Sequence, residues 1–234
     1  MRLTSLLIPA LVSFLVPGLG RADPRPADIV DVRSIDPSVL VDLMYLSSMN
    51  FVGHPIVGYR ANVCYLTRAA GEQLRLAQAR LRAYGKRHGE ELSLLLRDCY
   101  RPRKSVLYFV DWAKRPDETE MKALFYPDLT KTELIDQDYI SQVSGHSRGS
   151  TFDLTIARRN AQGAFEAIPM GTRVDFLGPQ SWTDYPGIGV AENANRRLLF
   201  DILGPDFRNF SKEWWHYALK GEPYPKTFFD FDVE

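Results

Sequence analysis

Between Thr67 and His88 the apolar positions Ala70, Leu74, Ala77, Leu81 and Tyr84 recur in alternating steps of four and three. That spacing lines one face of a helix. Thr67 is placed to cap its first turn, and Gly85 or Gly89 to end it. Leu92, Leu94 and Leu96 then alternate with other residues, predicting a strand that ends near Asp98. Pro102 opens a second helix that runs to about Lys114, because the first helical position has no use for the missing proline N–H. Residues 115–140, with their prolines and charges, read as a long irregular excursion. Alternation returns at 151–157, where Phe152, Leu154 and Ile156 point one way and Asp153 and Thr155 the other. A third helix covers about 192–203 and stops at Gly204-Pro205. A last strand starts near Trp214.

Helices and strands mix without a regular βαβ rhythm. The expected class is therefore α+β, a single domain with a largely antiparallel sheet flanked by helices. Neither an internal repeat nor a low-complexity segment is visible. A chain of 234 residues has room for one core and a leader, and an apolar fraction of 45% is enough to fill that core. Formal net charge is zero, with no basic stripe, so no nucleic-acid footprint is present.

The start of the chain reads as a signal peptide over residues 1–22. Met1-Arg2 gives a positive start, residues 3–20 are uncharged and mostly apolar, and Gly20 and Ala22 are small at the positions a signal peptidase inspects. A permanent membrane anchor is the alternative. Pro9, Pro17, Gly18 and Gly20 interrupt a run already short against the roughly 20 apolar residues a span requires. The reading is of an exported, periplasmic protein, residues 23–234 after cleavage, with no stable membrane insertion. Export bears on Cys64 and Cys99, which both survive cleavage, because an oxidising compartment favours pairing them. Two free thiols, or a shared metal, are the other options, although 35-residue spacing lacks the paired pattern of a cysteine metal site.

The candidate chemistry sits in two short segments, Ser144-Gly145-His146-Ser147-Arg148-Gly149-Ser150-Thr151-Phe152-Asp153 and Glu213-Trp214-Trp215-His216-Tyr217. His146, Asp153 and His216 make a set of two imidazoles and one carboxylate, suited to a catalytic zinc with a fourth position left open. Both segments fall at or beside strands, so the zinc site is expected on the sheet. Gly145 and Gly149 allow the tight path that returns His146 beside Asp153. Glu213 precedes His216 by three, which on a regular strand means opposite faces. It is therefore expected in the turn leading into the strand, within reach of an attacking water and outside the metal set, where a general base belongs. Singly, a histidine between aromatic residues is most often core and an aspartate at a strand start is most often a cap. Together, in an exported chain with four histidines, they favour the metal.

SGHSRGSTFDLT at 144–155 and EWWHY at 213–217 resemble the VanX-like D-alanyl-D-alanine dipeptidases, a family of zinc peptidases. Asp98-Cys99-Tyr100-Arg101-Pro102 is similar to the arginine motif of that family. Residues 170–176 resemble its loop between the ligand motifs, and residues 42–53 its N-terminal signature. The likeness spans about residues 40–220. It implies one Zn2+ per chain and hydrolysis of free D-alanyl-D-alanine to two D-alanines; the leader adds the expectation that the dipeptide comes from the turnover of peptides from peptidoglycan. The likeness implies further that Arg101 steadies the oxyanion, that Asp175 and Tyr45 hold the substrate's free amino group, and that Ser144 and Tyr59 belong to the pocket. A zinc D,D-carboxypeptidase or endopeptidase acting on intact peptidoglycan peptides is the nearest rival. A binding module without activity should have lost Glu213 or Arg101, and both are present.

Overall fold

The computed structural model describes residues 24–234, so the signal segment expected at 1–22 lies outside the described residues. The elements are β1 (Ile29–Asp31), β2 (Leu40–Val41), β3 (Tyr65–Thr67), α1 (Arg68–His88), β4 (Leu92–Asp98), α2 (Arg103–Ala113), α3 (Lys122–Phe125), α4 (Lys131–Asp136), β5 (Thr151–Arg159), β6 (Phe165–Ala167), α5 (Val190–Leu203), β7 (Phe207–Phe210) and β8 (Glu213–Leu219). Six strands form one sheet in the order β2-β4-β5-β8-β7, with β6 paired to β5. Its β2–β4 pair is parallel and the rest antiparallel. The class is α+β as expected, with a mixed main sheet. β1 and β3 form a separate antiparallel pair.

The predicted periodicities explain how the layers meet. In α1 the stripe Ala70, Leu74, Ala77 and Leu81 is buried, Thr67 Oγ1 accepts the Ala70 N–H, and Gly89 closes the helix in the left-handed region. Leu94 pairs with Ile156 and Leu96 with Leu154, so these four and Phe152 share one fully buried face. α1 and α5 pack against the sheet there. Alternation then sends Asp153 to the opposite face, where its register partners are Asp98 on β4 and His216 on β8. Three polar side chains distant in sequence thus meet on the face away from α1 and α5.

The stretch read as irregular contains α3 and α4. α4 opens with a capping box in which the Glu133 N–H donates to Thr130 Oγ1 at 3.2 Å and the Thr130 N–H to Glu133 Oε2 at 2.7 Å. The Thr-x-x-Glu pattern is visible in sequence, but six residues are too few for periodicity to register. Cys64 and Cys99 are joined in a disulfide, which ties the residue before β3 to the turn after β4. Among the described residues no helix is long and apolar enough to cross a membrane.

Candidate metal centre and its surroundings

His146 lies in a 3-10 turn, Gly145–Arg148, whose entry is fixed by Ser144 Oγ accepting the His146 N–H at 3.3 Å. Two glycines are required here. A Cβ on Gly145 would stand 2.7 Å from Thr151 Oγ1, and Gly149 has φ +76°. The turn brings His146 back against β5, nearly without exposure. Its Nδ1 lies 2.7 Å from the Cys99 carbonyl oxygen, which calls for a proton on Nδ1 and leaves the Nε2 lone pair free. That Nε2 is 3.3 Å from Asp153 Oδ2 and 3.3 Å from His216 Nδ1.

Asp153 Oδ1 is 3.1 Å from His216 Nδ1, yet the oxygen is buried and has no partner in hydrogen-bonding geometry. One ligand atom from each of His146, Asp153 and His216 falls within 4.8 Å of the others. Three lone-pair groups that converge on one point without bonding well to each other fit a cation between them. Their electrostatics agree. Burial works to raise the Asp153 carboxyl, but the His146 and His216 imidazoles, 3.3 and 3.1 Å from its oxygens, outweigh it and hold the group well below the usual carboxylate range. Burial likewise works to lower His216, and the Asp153 and Glu213 carboxylates raise it instead. The site draws positive charge to its centre.

Glu213 Oε2 lies 3.3 Å from His216 Nδ1, outside the three-ligand set. It is the first residue of β8 rather than part of a turn before it. It reaches the same side as His216 because β8 departs from regular pairing: Asn209 of β7 faces Tyr217, whereas the next residue, Phe210, faces Glu213. Such a bulge re-aims side chains that strict alternation would separate. Asn209 Nδ2 holds it by donating to the carbonyls of Glu213 and His216, both at 3.0 Å. Burial pushes the Glu213 carboxyl up to about 7, so it can take or release a proton near neutrality.

Arg101 forms a largely buried pair with Asp98. Its Nε and Nη2 donate to Asp98 Oδ2 at 2.9 and 2.8 Å, and Asp98 is fully buried. Nη2 also stands 3.4 Å from Asp153 Oδ2, and the guanidinium lies over the rings of Tyr45 and Phe109. The pair therefore holds the guanidinium at the edge of the candidate metal site. Asp98 is the residue sequence reasoning did not single out. One carboxylate receives Arg101 and the Tyr59 hydroxyl (2.7 Å) and comes within 3.4 Å of His146 Nδ1. Its place at the end of the strand beside Asp153 was the available signal.

A cavity of about 290 Å³ opens onto these groups, near the lower end of the range for small-molecule pockets. Arg101, Glu213, Asp175, Tyr45 and Ser144 line it with the three candidate ligands. Tyr59 is not in this wall and stands behind it, bonded to Asp98. Asp175 lines the same cavity as the three candidate ligands. It is buried, accepts the Tyr45 hydroxyl at 2.6 Å, and adopts φ +62°, a left-handed conformation uncommon for a non-glycine residue. Burial, with the nearby Asp153 charge, pushes its carboxyl up to about 8.

Residues 25–234 match the peptidase M15 family described as D-ala-D-ala dipeptidase. The chain is 39% identical to a D-alanyl-D-alanine dipeptidase of Enterococcus faecium over 196 residues, covering 82% of this chain and 92% of that one. It is 37% identical to one from Streptomyces coelicolor over 207 residues, or 88% and 98% of the two chains. An Escherichia coli K12 protein of the same description is 28% identical over 193 residues, or 82% and 84%.

Proposed function

Since the chain belongs to the D-Ala-D-Ala dipeptidase family of the M15 metallopeptidases, we propose that it is a zinc dipeptidase that hydrolyses free D-alanyl-D-alanine. The observation that carries this reading is the convergence of His146, Asp153 and His216 beside a half-buried Glu213, in a cavity small enough for a dipeptide and lined by the Asp175 carboxyl. His146 Nε2, Asp153 and His216 Nδ1 would hold one zinc ion. When bound, zinc supplies Lewis acidity toward the scissile carbonyl and the attacking water. Glu213 takes the proton from that water and returns it to the departing amine. The Arg101 guanidinium, fixed by Asp98, bears on the negative charge that develops on the carbonyl oxygen. Asp175, oriented by the Tyr45 hydroxyl, receives the substrate ammonium and so sets which peptide bond reaches Glu213.

The disulfide accords with an exported protein that meets dipeptides released from peptidoglycan. Purified protein should carry one zinc and cleave free D-alanyl-D-alanine while sparing its N-acetylated form. Efficient removal of D-alanine from an intact stem pentapeptide would instead make it a carboxypeptidase on the same metal set.

A further inference from the structure

Helix α2 follows Arg101 directly, and its start lacks its own cap. Pro102 occupies the capping position and has no side chain able to accept a hydrogen bond. The acceptor comes from the far end of the chain: Asp230 Oδ1 receives the Lys104 N–H at 2.7 Å. This is the amide that a capping side chain normally satisfies, and a carboxylate there also meets the positive end of the helix. Around this contact, residues 229–233 run as a strap. The Phe229 carbonyl accepts the Arg103 N–H at 3.0 Å, while the Phe229 N–H donates to the Ser147 carbonyl at 2.9 Å. Phe231 stacks on Tyr100 with ring centroids 4.0 Å apart, and its carbonyl accepts the Tyr100 hydroxyl. The Val233 N–H donates to Gly58 O, next to Tyr59. Asp232 pairs with both Lys104 and Arg60 at 2.6 Å.

Each anchor lies within three residues of Tyr59, Arg101 or His146. The two main turns are also joined directly, since Ser147 Oγ donates to the Arg101 carbonyl at 2.8 Å. We propose that residues 229–233 are a positioning strap for the reaction, with Asp230 fixing through α2 the angle at which Arg101 enters the cavity. The proposal rests on the role given above to Arg101. Asp230 is not one of the residues lining the cavity and is a positioning residue, not a catalytic one.

The test uses full-length Asp230→Ala and Asp230→Asn, the latter keeping an acceptor oxygen. Displacement of a reacting group by about an ångström can cost ~100-fold. Asp230→Ala should therefore lower kcat on D-alanyl-D-alanine by about 10- to 100-fold, with KM and zinc content little changed. Asp230→Asn should restore most of it. Amide hydrogen exchange should rise at residues 101–104 and 146–149 and stay unchanged along β4 and β5. Phe231→Leu, which loses the stack on Tyr100 but keeps an apolar side chain, should act in the same direction more weakly and serves if Asp230→Ala does not fold. A variant with a lower Tm but wild-type kcat would overturn the proposal, as would kcat lost together with zinc. A wild-type protein inactive on D-alanyl-D-alanine would sink the functional reading, and the exchange data would still decide whether the strap holds the Arg101 turn.

Discussion

Replacing Asp175 with Asn tests the register-setting role of this carboxyl in the cavity wall. Asn is preferred to Ala because residue 175 has φ +62°, a conformation Asn tolerates and Ala resists, so the backbone is preserved while the charge is removed. Asp175 is 4% exposed and its hydrogen-bond partner is the Tyr45 hydroxyl, leaving the carboxyl little solvent to compensate for a lost ammonium. A charge-assisted hydrogen bond contributes about 1.5–3 kcal/mol. At about 1.4 kcal/mol per decade, Asp175→Asn should lower kcat/KM on free D-alanyl-D-alanine by roughly 10- to 150-fold, with zinc content unchanged. Wild-type protein should favour the free over the N-acetylated dipeptide by at least that factor, and the variant should narrow the ratio.

The sign of the proton linkage gives a second measure. Burial holds the Asp175 carboxyl at about 8 in the free protein, so at pH 7 it is mostly protonated. An arriving ammonium favours the ionised form, and binding at pH 7 should release close to one proton, falling toward none as pH rises past 8. Titration calorimetry of the dipeptide into a Glu213→Gln variant, in buffers of different ionisation enthalpy, would report that release. Equal cleavage of free and N-acetylated substrate by the wild type, or full activity in Asp175→Asn, would refute the reasoning.

Three further outcomes are expected. His216→Ala should lose most of the zinc by metal analysis, since it removes one of three donors, and full occupancy would reject the ligand set. Glu213→Gln should keep the metal and lose about 10²- to 10⁴-fold in kcat; normal turnover would require another base. Thiol titration of denatured, unreduced protein should find no free thiol, and a Cys64→Ser/Cys99→Ser double variant should be less stable by about 2–4 kcal/mol in denaturant unfolding.

The local pattern along the chain was enough to determine α1 with its Thr67 cap, the alternation of β4 and β5, and the placement of Asp153 opposite Phe152. These are properties of neighbouring residues, and 3.6- and 2-residue periods carry them directly. Residue type and local context were likewise enough to single out His146, Asp153 and His216 as candidate donors, because metal chemistry admits few, and the fold brings the three together. What the tertiary structure alone decided has no local signature. The pairing of Tyr45 with Asp175 joins residues 130 positions apart. Asp98 became the hub behind Arg101 and His146 only because β4 and β5 align it with Asp153. Glu213 turned toward His216 through a register irregularity between β7 and β8 that depends on both strands. The cap of α2 is supplied from position 230, which no window around Pro102 contains. Each is a contact whose energy depends on where another part of the chain has come to rest, so its information is spread over the whole fold rather than written at the residues that make it.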